Sequence, residues 1–204
     1  MVTGTATNYP GIVIVTKDTD SKHFVGLVND ALDSIASKPV GAALLAGISE
    51  KSNDISFTSQ GVTFTVKILP TNSQKKSILG KSWRVYDKGS VTNTMSDAKC
   101  CTPGEGAACA IKWDPKNKKT PDGSRPPFIA LAHELIHCYH NLRGNSLMQK
   151  SKENDEAKTV GLAGYEGEPI SENRIRREHG IAYRSQYNGR CEGPEWIPDG
   201  ALLG

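Results

Sequence analysis

Residues 133–140 read His-Glu-Leu-Ile-His-Cys-Tyr-His, and no other stretch constrains the fold as much. Apolar residues recur around it at helical spacing: Phe128, Ile129, Leu131, Ala132, Leu135, Ile136, Tyr139 and Leu142. Pro126 and Pro127 before it and Gly144 after it supply start and stop signals for a helix. Residues four apart on a helix share a face, so His133 and His137 present two imidazoles to one side. Two histidines and a glutamate inside an apolar helix are costly to bury without a partner. A metal ion gripped by both imidazoles is the simplest partner, and His-Glu-x-x-His then puts Glu134 within reach of a water on that ion. The alternative is an ordinary amphipathic helix whose histidines are satisfied by the core.

The chain has 204 residues, 37% hydrophobic and 23% charged, enough for one core and so for a single domain over residues 1–204. A net charge of +3 is too small to argue for nucleic acid or a membrane surface. No apolar run reaches the length of a membrane span. A monomer is the expectation, with no nucleic acid and no membrane as partners. Residues 1–10 are polar, and no secretory signal peptide is visible. Of five cysteines, Cys138 lies in the helix and reads as a small buried hydrophobe. Cys100, Cys101, Cys109 and Cys191 read as free thiols, with a loop disulfide such as Cys101–Cys109 as the alternative.

Coarse periodicity places a strand at 12–15, a helix at 24–35 capped by Ser21 or Asp20, and a second helix at 39–48. Val62, Phe64, Val66 and Ile68 alternate with Thr63, Thr65 and Lys67 as one half-buried strand, paired with 55–57 across Ser59-Gln60-Gly61. Residues 83–86 and 110–113 read as further strands, the latter as an edge to which an extended substrate adds. Residues 114–127 read as loop and 145–152 as a polar linker. A helix at 153–160 ends at Gly161 and Gly164, Ser171 caps a basic helix at 172–179, and the tail 189–204 is rich in Gly and Pro. This order predicts an α+β fold, a zincin-like metallopeptidase with a twisted sheet packed on the His-Glu-x-x-His helix.

A catalytic zinc takes three protein ligands and keeps one position for water. His140 shares the histidine face but sits a turn past the metal, which favours a supporting or packing role. Glu153, Asp155 and Glu156 open the next helix. Glu156, nineteen residues after His137, is preferred because a turn and an antiparallel return fit that length. A solvated helix face is the alternative for the same cluster. Glu172 or Glu178 could fix the tautomer of a ligand histidine, or pair instead with Arg174, Arg176 or Arg177.

The run from Ala130 to Gly144, with the blocks starting at Glu156, Ser171 and Tyr183, resembles the NleD-like zinc metallopeptidases, secreted bacterial effectors. The zinc helix is also similar to that of the clostridial neurotoxin light chains, which read His-Glu-Leu-Ile-His-x-x-His-x-Leu-x-Gly. Their third ligand lies in a Glu-x-x-Thr-x-Gly setting, matched by Glu156, Thr159 and Gly161, and their Arg-x-x-Tyr pair is matched by Arg184 and Tyr187. The resemblance implies Zn²⁺ on His133, His137 and Glu156, Glu134 activating a zinc-bound water, and Arg184 and Tyr187 opposing the oxyanion. It implies an effector or toxin that acts in the host cytoplasm on proteins such as mitogen-activated protein kinases. Two other readings stand beside it: a zinc-stabilised protein-binding module without catalysis, and a zinc hydrolase of a non-protein substrate.

Overall fold

The structure is a computed structural model, and it describes residues 3–16, 21–71, 73–78, 81–86, 90–120 and 123–187. Asp20, Cys191 and the tail 189–204 lie outside these residues. The elements run β1 (Thr3–Ala6), β2 (Ile12–Thr16), α1 (Ser21–Ala36), α2 (Pro39–Glu50), β3 (Phe57–Ser59), β4 (Val62–Phe64), β5 (Val66–Pro70), β6 (Ser73–Ile78), β7 (Lys81–Tyr86), β8 (Val91–Thr94), β9 (Cys109–Trp113), β10 (Lys119–Thr120), β11 (Gly123–Ser124), α3 (Pro127–Asn141), α4 (Lys152–Val160) and α5 (Glu172–Glu178). The fold is α+β.

A five-stranded mixed sheet, ordered β1-β2-β5-β9-β8, carries the fold. β2, β5 and β9 are parallel, while β1 and β8 run antiparallel at the two edges. Ile12, Ile14, Val66, Ile68, Ile111 and Trp113 are buried, as alternation along a pleated strand requires of a covered face. Phe24, Val28, Leu32 and Ile35 of α1 and Leu44, Leu45 and Ile48 of α2 complete this core. The expected single strand through 62–68 is two. Thr65 breaks it: its hydroxyl donates to the Ile55 carbonyl at 2.8 Å. β4 stays in a hairpin with β3, and β5 joins the main sheet. Gln60 and Gly61 take φ of 54° and 76° at the hairpin tip, the mirror-image turn that matches strand twist.

The strand at 110–113 is not an edge. β9 lies between β5 and β8, and the free edge belongs to β8, a strand without a hydrophobic alternation in its sequence Val-Thr-Asn-Thr. Likewise, residues 114–127 hold the short ladder β10–β11 within the expected loop.

α3 packs against β8 and β9 on one side and against α1 and α2 on another. Every residue from 129 to 138 is buried, the condition of a central helix rather than a surface one. The Trp113 indole donates to the Pro127 carbonyl at 3.2 Å and ties the end of β9 to the first turn of α3. After the helix, Gly144 turns the chain at φ 66°, and a Cβ there would sit 1.8 Å from the Thr102 carbonyl oxygen. Cys100, Cys101, Cys109 and Cys138 are free thiols. No single helix among the described residues is long and apolar enough to cross a membrane.

Candidate metal centre

One turn of α3 presents His133 and His137 side by side, their Nε2 atoms 3.2 Å apart. α4 packs on α3 and brings Glu156 against both: Oε2 lies 3.1 Å from His133 Nε2 and 3.3 Å from His137 Nε2. Ser151 caps α4 by accepting from the Asn154 amide, and Gly161 ends it at φ 86°. A Cβ on Gly161 would lie 2.8 Å from Ser171 Oγ, so this glycine lets α4 close onto the start of α5. The three ligand atoms form a buried triangle that could hold a metal ion. Glu153, one turn before Glu156, is exposed and takes no part in it.

The far side of each imidazole is also held. His133 Nδ1 meets Glu172 Oε2 at 2.8 Å, and His137 Nδ1 meets Asp155 Oδ2 at 2.9 Å and Thr159 Oγ1 at 3.2 Å. An ionised carboxylate only accepts, so each Nδ1 carries its hydrogen and each Nε2 is left to turn a lone pair toward the triangle. Two imidazole lone pairs and a carboxylate oxygen facing one point repel one another unless a cation sits between them. This donor set therefore fits a metal. A proton serves the same purpose when no ion is bound. Burial pulls the His137 pKa down, but the bonds to Asp155 and Glu156 prevail and lift it to about 10. His133 is raised in the same way, against burial, by Glu156 and Glu172. Burial likewise opposes ionisation of Glu156, yet its two imidazole partners hold it below the ordinary carboxylate range.

Glu134 stands beside the triangle rather than in it. Its Oε2 lies 2.8 Å from Thr92 Oγ1, whose hydroxyl is also 3.0 Å from the Glu134 carbonyl. Thr92 is on β8, so the edge strand holds this carboxylate in place. Tyr187 stacks parallel to the His133 ring at 6.1 Å. Burial pushes its hydroxyl pKa up, and the nearby Glu156 adds to this. The Arg184 guanidinium lies over the Tyr187 ring at 4.9 Å. Its backbone is fixed by the Asn173 side chain, which accepts from the Arg184 amide at 2.8 Å and donates to its carbonyl at 2.9 Å. His140 is buried outside the triangle, its Nε2 without a partner among the described residues. Burial and the charge on Lys158 pull its pKa down to about 3.

Residues 14–187 match the profile of peptidase family M91, described as effector proteins. The chain belongs to this family. The family is one of peptidases. One solved structure agrees on the fold. The catalytic domain of Clostridium botulinum neurotoxin serotype F superposes with a TM-score of 0.51 at 13% identity, over 90% of this chain and 79% of that one. The botulinum neurotoxin type G light chain gives 0.41 at 18% identity, and the serotype F light chain 0.44 at 18%, each over 66% of this chain. The chain spans about half the length of those two light chains, 44% and 47%. A search of curated protein sequences finds no match.

Of the residues singled out from sequence, this M91 chain brings His133, Glu134, His137, Glu156, Arg184 and Tyr187 into one site. Glu172 reaches it as well, and Arg176 Nε donates to the same carboxylate at 2.8 Å, so the imidazole and guanidinium partners are held together. Glu178 does not: its carboxylate accepts from the Val40 amide at 2.9 Å, capping α2. Thr92, Asn173, Arg125 and the supporting role of Asp155 were not foreseen. Only Asp155 carried a signal, through its place beside Glu156.

Proposed function

We propose that the chain is a zinc-dependent endopeptidase, a secreted bacterial effector that cleaves proteins in the host cytoplasm, mitogen-activated protein kinases among them. Residues 1–204 act as one domain and as a monomer. His133, His137 and Glu156 hold the ion, and Glu134 is the general base.

The observation that carries this reading is the size of the triangle. Corners of a tetrahedron around zinc, with bonds of about 2.0–2.1 Å, lie about 3.3–3.4 Å apart. The three edges here measure 3.2, 3.1 and 3.3 Å. Three ligands on one side leave the fourth position open, the mark of a catalytic rather than a structural site. Zinc, when bound, supplies a Lewis acid that makes water acidic near neutral pH and polarises a carbonyl. Glu134 takes the proton of the attacking water and passes it to the leaving amine. Its bond from Thr92 keeps one oxygen occupied and turns the other toward the substrate. Tyr187, stacked on the His133 ring, and Arg184 over it would donate to the oxyanion as charge develops on it. The open edge of β8 offers an extended substrate a strand to pair with, next to the base that Thr92 holds.

The test is N-terminal mapping of host lysate treated with wild type, with Glu134→Gln and with wild type plus chelator. New N-termini are expected only in the first. Cleavage by the metal-loaded Glu134→Gln variant at the wild-type rate would remove Glu134 from the mechanism.

A further inference from the structure

Three guanidiniums surround the Glu172 carboxylate, which is itself wholly buried. Arg176 Nε lies 2.8 Å from it, Arg184 Nη1 3.5 Å and Arg125 Nη1 3.7 Å. Arg176 is tied further to the Ala182 carbonyl at 2.8 Å, and Arg184 covers Tyr187. Arg125 differs from both. It lies just before the α3 proline pair, its side chain is 10% exposed, and its nearest acceptor is that 3.7 Å carboxylate oxygen. Its Nε is buried without a partner among the described residues, and so is Arg176 Nη2. Burial lowers the Arg125 pKa, and the charges on Glu172 and Glu134 work against that. The Glu172 carboxylate that Arg125 faces is the one that meets His133 Nδ1 at 2.8 Å, so the cation stands one side chain away from the metal triangle.

Buried guanidinium groups short of acceptors are costly and call for an anion. The charge balance points the same way. Glu134, Asp155, Glu156 and Glu172 supply four negative charges to the buried site, and Arg125, Arg176 and Arg184 supply three positive ones. With a divalent ion and neutral histidines, one positive charge is left over. Arg125 and Arg176 both have a donor to spare, and of the two it is Arg125 whose side chain still reaches the surface. Arginine's planar fork suits a carboxylate or a phosphate, the two anions a protein substrate can bring.

We propose that Arg125 forms an anion-recognising subsite, which selects substrates with an acidic side chain close to the scissile bond. This rests on the metallopeptidase reading of the same site, and it adds to that reading a substrate class.

The test uses the full chain loaded with zinc and titrated calorimetrically with amino-acid hydroxamates, whose hydroxamate anchors on the metal while the side chain probes the flank. Glutamate hydroxamate is expected to bind about tenfold or more tighter than leucine hydroxamate. Arg125→Lys should keep most of that ratio, and Arg125→Gln should bring it close to one. O-phosphoserine hydroxamate separates the two anion sources: tighter binding than glutamate assigns the subsite to phosphate, weaker to carboxylate. Equal affinity for glutamate and leucine in the wild type overturns the proposal, as does a preference that survives in a folded, metal-replete Arg125→Gln. If that variant does not fold, the wild-type ratio and Arg125→Lys decide. The N-termini released from lysate give a second readout, expected to show Asp, Glu or phosphorylated residues enriched within three positions of the cut. Selective hydroxamate binding without any cleavage would strike the peptidase reading and leave the subsite standing.

Discussion

Glu172 is the acid on which two functions converge, and Glu172→Gln separates them. The carboxylate is 0% exposed, accepts from His133 Nδ1 and Arg176 Nε at 2.8 Å each, and stands within 3.7 Å of two more guanidiniums. Burial resists its ionisation, yet these partners hold its pKa well below the ordinary carboxylate range. Glutamine keeps the shape but removes the charge, and its amide turns two hydrogens toward neighbours that are all donors. Removing one partner of a buried ion pair costs about 3–5 kcal/mol, because the other charge is left uncompensated. In a domain of this size each kcal/mol moves the thermal midpoint by about 2–4 °C, so a fall of about 6–20 °C is expected in the metal-stripped protein. The loss of the His133 anchor should separately weaken metal affinity by about 10- to 100-fold. Thermal melts followed by circular dichroism, with and without zinc, read the first effect. Competition with a chelator of known affinity reads the second. A metal-stripped midpoint within 2 °C of wild type would refute the claim that Glu172 neutralises the arginines, whatever happens to the metal.

Three further outcomes follow from the same geometry. Thr92→Val should lower kcat by about tenfold, the value of one hydrogen bond to a charged group, with metal content unchanged and Thr92→Ser restoring activity; a wild-type rate in the valine variant would free Glu134 from β8. Glu156→Ala should lower zinc stoichiometry, whereas His140→Ala should not; the reverse result would make His140 the ligand. In the metal-stripped protein, the folded-state pKa of His137 at about 10 lies above the unfolded value of about 6.5. Its contribution is therefore complete below about pH 6.5 and lost as pH rises through 10, so the melting midpoint should fall across that window. The zinc-loaded protein should not show this fall, because the ion replaces the proton. A flat profile without metal would show that the imidazole is not charged between its two carboxylates.

The local parts of the site were legible because helix geometry is local. The i, i+4 spacing of His133 and His137, the Gly161 stop and the Ser171 cap each follow from a few neighbouring residues, and the structure places each as expected. The edge strand was not legible. Val91-Thr-Asn-Thr94 has no hydrophobic alternation, since its place in the sheet comes from pairing with β9 and its value from one hydroxyl on Glu134. Burial of the stretch 129–138 on every side was less legible: helical periodicity finds one apolar face and does not tell what packs on the rest. Arg125 belongs to the same class, because a basic residue before two prolines reads as loop until a carboxylate 47 positions later is folded against it.

What converts the motif into a site lies downstream of it. His133 is held by Glu172, 39 residues on, and His137 by Asp155, 18 residues on. Both supports come from the first turn of a short helix. Ser151 and Ser171 cap those two helices, and Gly161 lets the end of one close on the start of the other. The imidazoles would sit four residues apart on any helix, but their tautomers and the third corner of the triangle are set by α4 and α5. Metal affinity should therefore depend on the packing of these two short helices as well as on His-Glu-x-x-His itself.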